Sequence, residues 1–242
     1  MISAADRLVW QMASEIDDGA VVATGGASPL AVLAIAVARA THAPRLTYLA
    51  CVGSLNPSVT RLYGSSEDLA YLDGRLAEIS IPDLFDHARR GRVDTVFFGA
   101  VEVDADGRTN LSAAGSLAAP KVKFPGVVGA CSLRRWCKKP ILVVPRQNPR
   151  CLVPRVCVAS TFDDRRTALL TDLAVFSIGD GGAVLEALAP HASLDDVRAR
   201  TGFSFREAEP LGRLVDPPLQ VLDAIRSLDP DNLRAELVGY AN

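Results

Sequence analysis

Residues 20–51 read AVVATGGASPLAVLAIAVARATHAPRLTYLAC, and their punctuation decides the fold. Ala20 to Thr24 is a short apolar run that predicts a strand. Gly25-Gly26-Ala27-Ser28-Pro29 turns it into a helix over 29–40. His42-Ala43-Pro44 stops that helix, because the residue before a proline avoids helical angles. Leu46 to Cys51 then predicts a second, buried strand. Strand, helix and strand in this order favour a parallel sheet with helices on its faces.

The same reading extends outward. Ala5, Leu8, Val9, Met12 and Ile16 share one face of a helix over 4–17, which Asp17-Asp18-Gly19 ends. A helix is expected near 65–72, and another from Ile81 to Arg90, with Pro82 near its start and Gly91 just past its end. Val93–Phe98, Ile141–Val144, Val153–Ala159 and Leu173–Ser177 predict further strands. Asp104-Ala105-Asp106-Gly107 is a tight turn, and helices are expected over 194–200 and 217–227. With no repeat, low-complexity tract or long linker, residues 1–242 read as a single α/β domain. The expected architecture is an open, mostly parallel sheet with helices on both faces.

Composition narrows the function. The 242 residues are 49% hydrophobic and 22% charged, which is globular rather than disordered. Lys plus Arg (26) against Asp plus Glu (28) gives a net charge of −2, which disfavours a general nucleic-acid binder. No apolar run of about 18 residues predicts a membrane span, and Met1 to Trp10 carries Asp6 and Arg7, unlike a signal peptide. These features suggest a cytoplasmic protein. The five cysteines include no CxxC pair, and His42, His87 and His191 do not cluster with them, so no metal site is expected.

Ligands of open α/β sheets sit beyond the carboxyl ends of the strands. Three such places are Gly25-Gly26-Ala27, Cys51-Val52-Gly53 and Gly99-Ala100-Val101-Glu102. A fourth is the glycine-bearing loop Pro125-Gly126-Val127-Val128-Gly129-Ala130-Cys131. GxGxxG, GxxxxGK[ST] and GxSxG are all absent, which disfavours a dinucleotide site, a P-loop and a hydrolase elbow.

Taken together the segments are more specific. Thr41-His42-Ala43-Pro44, Asn56-Pro57, Arg90-Gly91-Arg92-Val93-Asp94, Phe98-Gly99-Ala100-Val101-Glu102-Val103-Asp104, Asp106-Gly107-Arg108-Thr109-Asn110 and Pro120-Lys121-Val122-Lys123-Phe124-Pro125-Gly126 follow in that order. In order and spacing they resemble the β subunit of family I CoA-transferases, in the glutaconate CoA-transferase branch. The resemblance is clear over about residues 20–145 and weaker, but continuous, to Phe205. It implies an α subunit of similar fold, an α2β2 assembly, acyl-CoA substrates and no metal or redox cofactor. It also implies substrate or CoA contacts at Gly53, Asn56, Gly99, Ala100, Glu102, Gly126, Val128, Gly129 and Ala130. The family's glycine loop offers backbone amides to the acyl oxygen, and Val128 stands here where a glycine is usual.

The sequence departs from the family at its reactive group. The transferases carry a catalytic Glu in an E-x-G turn, whereas this chain reads Cys51-Val52-Gly53. No acidic residue lies between Arg45 and Arg61 to replace it. A thiol with a reference pKa of about 8.5 is mostly protonated at neutral pH. It can give a proton to a carbanion or shape a pocket without charge. Removing a carboxylate here also favours a substrate that carries its own. These features point to decarboxylation of a glutaconyl-type CoA ester, with Cys51 as the catalytic residue. CO2 loss leaves a dienolate delocalised onto the thioester oxygen, so the substrate is its own electron sink. The alternatives are CoA transfer through an acyl-cysteine, CoA-ester hydrolysis or C–C cleavage on the same scaffold, and a non-catalytic subunit that completes its partner.

Other residues have plainer readings. Cys51 could be an inert, packed cysteine. Asn56 suits a turn before Pro57. Glu102 reads either as a solvated turn carboxylate or as a polar group facing the acyl chain. His42 suits a helix C-terminus. Arg134, Arg135, Lys138 and Lys139 suggest a solvated basic face, Cys131 and Cys137 structural roles, and Ser65-Ser66-Glu67-Asp68 a helix start.

Overall fold

A computed structural model describes residues 1–239, so the last three residues of the expected 1–242 domain lie outside the described part. The chain runs α1 (Ala4–Ser14), β1 (Val21–Thr24), α2 (Pro29–Ala40), β2 (Thr47–Ala50), β3 (Ser54–Leu55), β4 (Ala77–Glu78), α3 (Ile81–Arg89), β5 (Thr95–Gly99), β6 (Glu102–Val103), β7 (Thr109–Asn110), β8 (Ala113–Ser116), β9 (Ala119–Lys123), α4 (Ala130–Trp136), β10 (Lys139–Val144), β11 (Thr167–Thr171), β12 (Ala174–Ile178), β13 (Ala183–Leu188), α5 (Leu194–Ala199), β14 (Phe205–Arg213), α6 (Leu219–Leu228) and α7 (Leu233–Leu237). It forms two compact units, one of residues 1–97, 136–140 and 216 onward, the other of residues 98–135 and 141–215. The class is the expected one, α/β with an open, mostly parallel sheet and helices.

In the first unit the strands lie in the order β5-β1-β2-β3-β4. β1 is parallel to both β2 and β5, and β3 and β4 add an antiparallel edge. Every residue of α2 from Pro29 to Ala38 is buried, because this helix is apolar all round. It packs against α1 and α6. Pro29 opens α2 where a missing N–H costs nothing, as its sequence predicts. α1 begins with a Ser3–Asp6 capping box and buries the expected Ala5, Leu8, Val9 and Met12. His42 reaches from the end of α2 to carbonyls at and just past the end of α1, with Nε2 3.1 Å from the Ala13 oxygen and 3.2 Å from that of Ile16. Near the C-terminus, Arg234 bridges Asp6 at 2.7 Å and Asp229 at 2.8 Å, all three buried.

In the second unit the order is β14-β13-β12-β11-β10. β10–β11 and β13–β14 pair in parallel, whereas β11–β12 and β12–β13 are antiparallel. Phe176 anchors its core, edge-on to Phe203 and Phe205 at 5.9 and 5.4 Å. Two small ribbons, β6–β7 and β8–β9, complete the unit.

Three expectations are corrected. The predicted strand over Val153–Ala159 is irregular. Pro154 lacks an N–H to give a ladder, and carboxylates take neighbouring ones: Val156 N donates to Asp104 Oδ2 at 3.4 Å and Cys157 N to Glu102 Oε2 at 2.9 Å. The helix expected near 65–72 shrinks to a 3-10 turn over Leu69–Leu72, capped by the Asp68 side chain on Ala70 N. The supposed solvated basic run is not one face. Arg134 is 1% exposed and donates to Gly107 O at 2.7 Å and Thr161 Oγ1 at 3.1 Å. Lys138 and Lys139 instead pair with Asp94 and Glu15, each at 2.7 Å.

Candidate active site

Cys51 opens a three-residue turn that joins β2 to β3. Gly53 N donates to Ala50 O at 3.0 Å, closing the turn, and Ala50 pairs with Ser54 across it. Gly53 has φ +105°, a conformation that side chains other than glycine's rarely adopt. Glycine at 53 is thus required by the backbone. Asn56 follows at φ +49°, in the left-handed region that Asn tolerates. Its carboxamide oxygen accepts from Tyr48 N at 2.7 Å and Arg39 Nη2 at 2.6 Å. Asn56 is thereby the brace of this turn, in line with its plainer reading.

Beside this turn lies the one after β1. The register Ala23 opposite Leu49 sets the two parallel strand ends side by side, so the structure brings the first two expected ligand places together. Ser66 ties them. It is fully buried; its hydroxyl donates to Gly25 O at 2.9 Å and accepts from Ser28 N at 3.0 Å. The Cys51 thiol points to the Ser66 carbonyl at 3.6 Å, and Ser66 Oγ is 4.0 Å from the sulfur. A carboxylate enters from the next residue: a Cβ added to Gly26 would lie 2.9 Å from Glu67 Oε1. Beneath, Thr24 Oγ1 and the Tyr48 hydroxyl are 2.9 Å apart and fully buried.

These surroundings set the ionisation of the thiol. Burial pushes Cys51 above the usual thiol value and the Glu67 charge adds to the rise, while hydrogen bonding with Ser66 and Thr24 opposes it. The balance is upward, so Cys51 is a neutral thiol at neutral pH. Tyr48 is raised as well, by burial first, and stays a phenol.

Sequence reasoning missed Ser66, Glu67 and Thr24. Ser66 stands 41 residues from its Gly25 partner, and no local pattern announces that contact.

In the second unit, Gly99 is exposed and Ala100 partly so, whereas Glu102 is buried. Burial removes the solvated-turn reading of Glu102. Its Oε2 accepts from Asn110 Nδ2 at 2.8 Å as well as from Cys157 N. Asn110 also donates to Ala113 O at 2.7 Å, which fixes the exit from β7. From that exit, Leu111 O accepts Gly126 N at 2.8 Å. The structure thus brings Glu102 and the start of the glycine loop into one bonded cluster within this unit. Gly126 has φ +94° and Val128 φ +44°, the latter residue 97% exposed. Ala130 N donates back to Val127 O at 2.7 Å. The amides of Val127, Val128 and Gly129 have no acceptor among the described residues, which leaves donors for an anion. No group of three or more His, Cys, Asp or Glu side chains suited to a metal occurs among the described residues. No helix among them is long and apolar enough to cross a membrane.

No protein-family model matches the chain. A curated relative, one subunit of the 3-oxoadipate CoA-transferase of Pseudomonas knackmussii, is 27% identical over 216 residues, covering 80% of this chain and 81% of that protein. The glutaconate CoA-transferase of Acidaminococcus fermentans shares the fold, with a TM-score of 0.83 at 20% identity over 95% of each chain. The decarboxylase AibA/AibB is nearer, with a TM-score of 0.97 and 60% identity over 99% of this chain and 100% of that one. On this full-length likeness, with the transferase fold and the 3-oxoadipate relative beside it, the chain belongs to the β subunits of the family I CoA-transferases.

Proposed function

We propose that this chain is the β subunit of a cofactor-free decarboxylase that converts 3-methylglutaconyl-CoA to 3,3-dimethylacrylyl-CoA and CO2. The product class suits a cytoplasmic, alternative route to isovaleryl-CoA. The observation that carries the reading is the neutral Cys51 thiol where the family keeps a charged carboxylate. The likeness to AibA/AibB supports it. That decarboxylase has also been solved with one cysteine replaced by Asn, Val, Ser or Ala.

In this reading the C4–carboxylate bond breaks, CO2 leaves, and the electron pair delocalises as a dienolate onto the thioester oxygen. The Cys51 S–H bond then breaks and its proton goes to the γ carbon. Water returns a proton to the thiolate. Each turnover consumes one proton and needs no metal, flavin or biotin. Gly53, Asn56, Gly99, Ala100, Glu102, Gly126, Val128, Gly129 and Ala130 are carried as acyl-CoA contacts or their supports. Residues 1–242 act as one subunit, working with an α subunit in an α2β2 assembly. The 3-oxoadipate relative is one subunit of its transferase and AibA/AibB is a pair, which supports a two-subunit enzyme.

The test is mass spectrometry of products from the reconstituted αβ pair and from each chain alone, given 3-methylglutaconyl-CoA. The expected result is dimethylacrylyl-CoA from the pair only. Product from this chain alone, or none from the pair, sinks the proposal. CoA transfer is the second reading, favoured by the 3-oxoadipate CoA-transferase relative. It forecasts CoA exchange with a free carboxylate and no CO2.

A further inference from the structure

Glu102 carries its carboxylate in the second unit without a cation. It is 9% exposed, and no Lys, Arg or His among the described residues pairs with it. Its hydrogen bonds all fall on one oxygen. Oε2 accepts from Asn110 Nδ2 at 2.8 Å and from Cys157 N at 2.9 Å, whereas Oε1 accepts none among the described residues. The same two donors cannot serve it as well. Asn110 gives its other amide hydrogen to Ala113 O at 2.7 Å, and Cys157 N has a single hydrogen. A buried carboxylate with one idle oxygen is costly, and a donor brought by a ligand offsets that cost.

Its place in the chain indicates the kind of ligand. Glu102 stands just past β5, after the exposed Gly99 and Val101, beyond a carboxyl end of the sort where ligands of such sheets sit. Asn110 links it to the exit of β7, where Leu111 O accepts Gly126 N at 2.8 Å and so holds the start of the glycine loop. That loop presents the amides of Val127, Val128 and Gly129. One bonded cluster thus offers two opposite poles: the loop gives hydrogens and Glu102 takes one.

At neutral pH the acyl half of the substrate has only acceptors, a thioester oxygen and a carboxylate. It matches the loop and is repelled by Glu102. The nearest donors are the secondary amides of the pantetheine arm of CoA, the first of them separated from the sulfur by two methylene groups. We infer that Glu102 is a specificity-determining residue for the CoA half of the substrate: Oε1 accepts a hydrogen bond from a pantetheine amide N–H, while Oε2 stays tied to Asn110 and Cys157. This rests on the acyl-CoA reading of the site. It assigns Glu102 to the carrier arm rather than to the acyl chain.

A glutamine at this position is not a neutral copy. It has one oxygen, which the Asn110 and Cys157 donors both require. Its NH2 group therefore takes the place of Oε1, and an acceptor becomes a donor. Glu102→Gln keeps the internal bonds and meets the pantetheine N–H with an N–H of its own.

The test is calorimetric titration of the αβ pair, wild type and Glu102→Gln, with 3,3-dimethylacrylyl-CoA. Two analogues of that thioester, each with one pantetheine amide replaced by an ester linkage, complete the cycle. In the wild type, one of the two replacements should weaken binding about 10-fold, because a hydrogen bond to a charged group is lost. Glu102→Gln should bind the native thioester about 10-fold more weakly and should prefer that analogue to it. Its melting temperature should stay close to that of the wild type, which separates recognition from a loop that has come apart. If Glu102→Gln does not fold, the three wild-type titrations decide alone. Equal wild-type affinity for all three compounds overturns the inference. So does a Glu102→Gln loss that is the same for each of them. The titrations read binding and not turnover. A pair that discriminates amide from ester but releases no CO2 counts against the proposed decarboxylation and leaves the role of Glu102 standing. A pair that binds none of the three overturns both.

Discussion

The Cys51 thiol points at the Ser66 carbonyl from 3.6 Å, across a turn that Ser66 itself holds to Gly25. The sulfur is therefore oriented by backbone, and exchanging it leaves the neighbouring bonds in place.

Cys51→Ala should remove a proton donor and little else. Turnover should fall by about 10²-fold or more, with CoA-ester affinity largely kept. Cys51→Ser keeps a hydroxyl of far weaker acidity and should also be slow. Steady-state kinetics of the αβ pair check both. Near-normal turnover in Cys51→Ala would return this residue to packing. An acyl adduct on acid-quenched wild type would replace proton donation by covalent chemistry.

Cys51→Glu recreates the family's E-x-G turn. Its charge would face a substrate carboxylate, and two unit charges about 4 Å apart repel by roughly 4 kcal/mol at an effective dielectric of 20. Decarboxylation should not improve, and weak CoA exchange should appear in an isotope-exchange assay. Faster decarboxylation would refute the charge argument.

The raised thiol pKa fixes a pH dependence. The reactive form is protonated, so kcat should hold through neutral pH and fall only above the ordinary thiol range. Stability has the same sign. Where the folded thiol still holds a proton that the unfolded one has lost, folding binds more protons, so stability declines as pH rises. Urea melts and kcat measured from pH 7 to pH 10 (roughly the window around a thiol pKa) provide the check. A kcat that climbs with pH through that window would mean the thiolate is the active form.

Val128→Gly should stabilise the chain by about 1 kcal/mol. A β-branched residue at φ +44° is strained, and a residue 97% exposed has little packing to lose. Glycine's own entropy cost offsets part of the gain. Denaturant midpoints at constant m-value measure it. A loss of stability would show that the valine side chain is held by something that outweighs the strain.

Much of this was legible in the residues. The span of α2 follows from Pro29, an apolar run and the Ala43-Pro44 break, all local signals. β1, β2 and the Cys51 turn follow from the same stretch. Strands β13 and β14 did not announce themselves. β14 contains Pro210 and is nowhere buried, so neither alternation nor apolarity marks it. The β8–β9 ribbon is equally hidden, since all five β9 residues are exposed. Val153–Ala159 reads as a strand from its apolar content, but its Val156 and Cys157 amides are taken by the Asp104 and Glu102 carboxylates rather than by a neighbouring strand. Of the site, Cys51 was readable from its family position. Its environment was not, because Thr24, Ser66 and Glu67 reach it from distant parts of the chain.

The turn at Cys51 takes its shape from Gly53, from the Ala50–Ser54 pair and from the Asn56 brace, and the side chain at position 51 holds up none of it. Backbone and reactive group are separable there. Position 51 acts as a socket, able to accept a carboxylate or a thiol without remodelling the loop. A set of uncharged substitutions confined to it should vary widely in the reaction supported and little in melting temperature, whereas a carboxylate there meets the burial and the Glu67 charge that raise the thiol. On such a scaffold, a change of chemistry requires no change of architecture.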